Sequence, residues 1–212
     1  MGTMNPLVYG LFGAASALGL STLGSDVIFY ANRGDGAPEF RRAAEWAAAT
    51  LKTRAVYPIG SAAEFIGNLR RHIRTRRFLW IGHGSTRALF VDNGLRIADA
   101  DALARELAPR LTLGAIVGLA ACNAGEDPGE AGWDADAYSD GGARSFAATL
   151  RNGIFRRAPW LLLGGVRGHT AAGHTLNNPA ARDFPFREYG RAGNGVDLRV
   201  PGASPAKWII GA

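Results

Sequence analysis

From Asp26 onward the chain repeats one pattern: a short unbroken run of apolar residues, then a stretch with apolar residues at helical spacing. That alternation constrains the fold more than any other feature. A strand that is apolar at every position must be covered on both faces, as parallel strands are. Parallel neighbours also need a crossover connection, and the amphipathic stretches supply it. The runs are Val27–Tyr30 (VIFY), Ala55–Tyr57 (AVY, stopped by Pro58), Phe78–Ile81 (FLWI), Gly114–Ala121 (GAIVGLAA) and Trp160–Val166 (WLLLGGV). Between them, Pro38–Leu51 reads as a helix that Pro38 starts, and Ala143–Arg151 as another. Ser61 and Glu64 make a capping box for a helix to about Arg74, and Asp99 caps one through Leu107. Ala88–Phe90, the Asp92-Asn93-Gly94 turn and Leu95–Ile97 predict a hairpin. After His169, Gly and Pro are dense, which predicts loops with one short strand at Val196–Val200. The expected class is α/β, a mostly parallel sheet with helices on both faces.

At 212 residues the chain is long enough to bury a full core in one domain. We place that domain at 26–212, after an apolar segment at 1–25. Leu7–Gly24 carries no charge, but Gly, Ser and Thr dilute it, and no Lys or Arg precedes it. A packed helix therefore suits it better than a membrane anchor or a signal peptide. The cytoplasm is the expected compartment, with a secreted or delivered effector as the alternative. One cysteine excludes an intrachain disulfide framework and any multi-cysteine metal site. The net charge is +6, and 22 of the 24 basic residues are arginines. Together with the abundance of Ala and Gly, this reads as a compositional bias rather than a mark of nucleic-acid binding.

In open parallel sheets, function collects at the carboxyl ends of the strands. That rule singles out Arg33 after the first run, His83-Gly84 after the third and Cys122 after the fourth. His83 and Cys122 are 39 residues apart, room for a hairpin, a helix and a return strand. If their strands are neighbours, imidazole and thiol face one crevice. A thiol becomes a strong nucleophile once deprotonated, and an imidazole can take that proton and later pass it to a leaving amine. The backbone N–H groups of Gly84 and Cys122 could form an oxyanion hole.

A hydrophobic strand ending Ile81-Gly82-His83-Gly84 and a second ending Ala121-Cys122-Asn123-Ala124-Gly125, in that order, resemble the caspase-like cysteine peptidases (clan CD). That group holds caspases, metacaspases, legumains, gingipains, separases and toxin autoprocessing domains. The intervening hairpin and helix match as well, over roughly Asp26 to Thr170. The resemblance implies a caspase-like three-layer αβα sandwich and a thiol-protease activity on a protein or peptide substrate. It makes His83 the general base, Cys122 the nucleophile and Gly84 with Cys122 the oxyanion donors. No cofactor is expected, with calcium, which activates some members of that group, as the alternative.

The residues before the nucleophile, Leu119, Ala120 and Ala121, include no acid, so the grip that Arg- or Lys-specific relatives place there is missing. Arg33 and Arg167 stand where caspases place arginines for an acidic side chain, which a guanidinium fork suits. Ala120 and Ala121 would leave an uncharged wall. The acidic stretch from Glu126 to Asp140 reads as a solvated loop, with an activation loop cut by the enzyme itself as a second reading. A calcium site on Asp134, Asp136 and Asp140 is the sharper alternative, but it lacks EF-hand spacing. His169 and His174 have no visible third zinc ligand. The basic run Arg70–Arg77 reads as a helix end complementing its dipole, with nucleic acid or another anion as the competing partner. A non-catalytic module of the same fold is the remaining alternative.

Overall fold

The computed structural model of the chain describes residues 24–92, 94–125, 143–170, 181–188 and 196–197. In these, strands β1 (Ser25–Ala31), β2 (Val56–Ile59), β3 (Thr75–Ile81), β7 (Leu111–Ala120) and β8 (Gly165–His169) run parallel. Strands β9 (Ala181–Pro185) and β10 (Val196–Asp197) join antiparallel at one edge. The seven lie in the order β10-β9-β8-β7-β3-β1-β2. A separate three-stranded sheet, β4 (His83–Gly84), β5 (Ala88–Phe90) and β6 (Arg96–Asp99), lies between β3 and the helix that leads into β7. The chain is a mixed α/β protein around a mostly parallel sheet.

Parallel pairing keeps partner residues on one face, so the register sorts the side chains. Phe29, Trp80, Leu119 and Gly168 form one row across β1, β3, β7 and β8. Phe65 of α2 (Ala62–Leu69) covers that face, with ring centroids 5.3 Å from Phe29 and 5.7 Å from Trp80. Helices α3 (Ala100–Leu107) and α4 (Phe146–Arg157) continue the layer. Arg70 at the end of α2 pairs with Glu106 of α3 at 2.6 Å, and Asp101 of α3 with Arg157 of α4 at 3.0 Å. The opposite face carries Tyr30 and Ile81 and is covered at the β1–β2 end by α1 (Ala37–Leu51). Phe29, Phe65, Phe78 and Trp80 are all but inaccessible, and each contributes on the order of 2 kcal/mol by leaving water. Beneath them, buried Asp26 accepts a fork from Arg76 (2.9 and 2.5 Å) and a third bond from Arg77 at 3.2 Å.

Several elements depart from the sequence reading. Strand β2 runs through Pro58 instead of stopping before it. It is the edge strand, where a missing N–H breaks no ladder. The fifth strand begins at Gly165, not Trp160. Trp160 is 57% exposed, and pairing with β7 starts only at Ile116 opposite Gly165. Hydrophobicity located the run but not its register. Strand β9 falls where dense Gly and Pro predict loops; Arg182, Asp183 and Pro185 interrupt any apolar run, yet it pairs along its whole length with β8. Helix α2 ends at Leu69, so the dipole reading of Arg70–Arg77 holds only for its first residue. Arg76 and Arg77 lie within β3. The segment at 1–23 lies outside the described residues. Among those described, no helix is long and apolar enough to cross a membrane.

Candidate active site

His83 and Cys122 are delivered by the two central strands, β3 and β7. The register from Arg77 opposite Ile116 to Ile81 opposite Ala120 has a constant offset of 39 residues, the same number that separates His83 from Cys122. The two therefore occupy equivalent positions, each two residues beyond the last strand pair. The Gly82 N–H continues the ladder by donating to the Ala120 carbonyl at 3.2 Å. Gly84 follows, and its backbone lies directly against the thiol-bearing turn. A β-carbon there would lie 2.5 Å from Ala121 Cβ and 3.3 Å from the Cys122 carbonyl oxygen. Only glycine permits that approach.

After Cys122 the chain turns at Asn123, which takes a left-handed φ of 53°. Asn tolerates this conformation better than most residues. The turn is tied down on both sides. The Gly125 N–H donates to the His169 carbonyl at the end of β8 (2.7 Å), and the Ala147 N–H at the start of α4 donates to the Ala124 carbonyl (2.8 Å). Cys122 itself is partly exposed.

The imidazole of His83 points into the side of the sheet covered by α1. Phe40 meets it edge-on, with centroids 4.9 Å apart and planes at 88°. Its Nε2 is buried without a hydrogen-bond partner among the described residues. Burial lowers the pKa of the ring below its usual 6.5, while Asp92 and Asp35 push it the other way. Asp92 accepts the N–H groups of Gly94 (3.0 Å) and Leu95 (2.8 Å) in the β5–β6 turn. Those bonds hold its carboxyl below the ordinary range, and Arg33 and His83 add to the effect. The sequence showed Asp92 only as a turn former, and nothing in the order of residues brings it to the ring.

The other candidates fare unevenly. Arg33 is exposed after β1, packed beside Gly60 and Asn32. Arg167 does not stand beyond its strand as expected. It is the middle residue of β8, opposite Asp183 of β9, with 3.6 Å between Nε and Oδ1. Ala120 and Ala121 are buried rather than lining an open wall, and Gly84 packs directly against Ala121. His169 is fully buried, both ring nitrogens lack a partner among the described residues, and burial drives its pKa to about 4. Asp134, Asp136, Asp140 and His174 lie outside the described residues. Among those described, no group of three or more metal-ligating side chains gathers. Within the basic run, Arg70, Arg76 and Arg77 already engage carboxylates. A groove of about 460 Å³ opens elsewhere, between α1 and the ends of β1 and β2, lined by Tyr30, Asn32, Arg41 and Arg42 among others.

Comparison with models of protein families, with curated proteins and with solved structures finds no match.

Proposed function

We propose that the chain is a caspase-like cysteine endopeptidase with a His83–Cys122 dyad. One observation carries the reading: the 39-residue offset between β3 and β7 equals the separation of the two residues, so each stands two residues past the last pair of these adjacent parallel strands, at their carboxyl edge. The strand order agrees with it, since β3 and β7 are neighbours in the interior of the sheet and β3 flanks the point, between β1 and β3, where the strand order reverses.

With Nε2 of His83 buried on the Gly34 side, Nδ1 is the ring nitrogen we assign to the thiol. It takes the Sγ proton as sulfur attacks the scissile carbonyl, and the carbonyl electron pair moves to oxygen. The backbone amides of Gly84 and Cys122 are the proposed donors to that oxyanion. Collapse of the adduct breaks the C–N bond, and the imidazolium gives its proton to the departing amine. Water, deprotonated by the same ring, then releases the acid from the thioester. For substrate choice, Arg33 is the exposed cation at the strand ends. Arg167 already faces Asp183, so we assign the selection of an acidic side chain to Arg33, with small apolar residues as the fallback.

The test is a thiol-directed electrophilic probe together with a peptide library. Wild-type protein is expected to label rapidly at Cys122 and to cleave. Cys122→Ala should abolish both, and His83→Ala should slow cleavage by about 100-fold or more. Slow labelling indifferent to His83 would leave a binding module of the same fold. Damage from His169→Ala with His83→Ala harmless would reassign the base.

A further inference from the structure

The β5–β6 turn approaches the buried edge of His83. Gly34, with φ of +76°, brings the β1–α1 loop between them. A β-carbon on Gly34 would lie 3.0 Å from Asp92 Cβ and 4.0 Å from His83 Nε2, so those two atoms are no more than about 7 Å apart. The hairpin fixes this approach. His83 pairs with Phe90, two residues before Asp92, and the Val91 N–H bonds the Leu95 carbonyl at 3.0 Å across the turn.

We infer that Asp92 is a positioning residue for His83: its carboxylate, anchored by the turn, stabilises the imidazolium that forms when Cys122 gives up its proton. This rests on the dyad reading for its purpose but not for its electrostatics. A half-buried imidazole resists protonation, and a fixed carboxylate whose Cβ lies within about 7 Å of the ring nitrogen offsets that resistance. No direct hydrogen bond is involved, because Nε2 has none. Among the described residues, Asp92 acts on the ring from the hairpin and Asp35 from the β1–α1 loop, while α1 contributes the neutral ring of Phe40. Arg33 acts on Asp92 from the same loop. Asp92 is the stronger of the two carboxylates on the ring. Its oxygen is already held by two backbone amides, whereas no bond fixes Asp35 among the described residues.

Asp92→Asn tests this cleanly, since the amide oxygen can still accept from Gly94 and Leu95 while the charge is gone. The His83 ring is followed by NMR titration in a Cys122→Ala background, where it titrates without its thiol partner. Asp92→Asn should move that titration to lower pH, and Asp35→Asn should move it less. With Cys122 restored, alkylation near neutral pH should slow by a factor on the order of three to ten. Asp92→Ser provides a second neutral variant if Asp92→Asn folds poorly. An unmoved His83 titration in the neutral variants, or a larger effect from Asp35→Asn, overturns the inference. A shifted titration in a protein that neither labels nor cleaves would keep the inference and sink the peptidase reading instead.

Discussion

His169 gives a prediction independent of catalysis. It lies at the end of β8 with 1% of its surface exposed and no partner on either ring nitrogen. The folded protein therefore holds the ring neutral, and burial lowers its pKa from 6.5 to about 4. A group depressed in this way binds its proton more readily in the unfolded chain. Between those two values acidification favours unfolding, and stability is lost as pH falls through the window. The slope approaches about 1.4 kcal/mol per pH unit, and the whole window is worth on the order of 3 kcal/mol. His169→Leu removes the titrating group and an unpartnered buried polar ring. At pH 7.5 that exchange should be close to neutral or slightly stabilising. At pH 4 the variant should be the more stable protein by roughly the full window. The measurement is denaturant unfolding of both proteins from pH 7.5 to 4. Comparing them cancels the shared titrations of His72, His83 and Asp183, whose pKa values are lowered, lowered and raised. Parallel stability curves would show that the ring is hydrated or paired in solution, and the argument from burial would fail.

Two further substitutions probe the frame around the dyad. Gly84→Ala places a methyl 2.5 Å from Ala121 Cβ; it should cost about 1–3 kcal/mol in denaturant unfolding and slow Cys122 labelling, whereas unchanged labelling would show that the β3 extension does not shape the thiol site. Asp26→Asn leaves Arg76 and Arg77 facing an amide in place of a buried carboxylate. Both guanidinium groups are about a quarter exposed or more, so the cost should be about 1–3 kcal/mol rather than that of a fully buried pair, read as a lower unfolding midpoint.

What the sequence determined by itself was local. Continuous apolar runs such as VIFY and FLWI cannot leave either face in water, so they specify covered strands, and the caps Ser61 and Asp99 are where the spacing put them. The order His83 before Cys122, each at a strand end, was also legible. Four matters were left to the tertiary structure, because they depend on register and on contacts between distant segments. The 39-residue spacing acquires meaning only once β3 and β7 pair with that offset. Arg167 becomes a mid-strand residue because β7 and β9 fix where β8 begins. Strand β9, polar in sequence, is a strand because β8 offers it an edge. Asp92 comes near His83 because a hairpin of three short strands folds back to the end of β1, and only a glycine at position 34 lets the two loops approach so closely. Periodicity reports what one segment needs; which segment satisfies that need is decided when the chain packs.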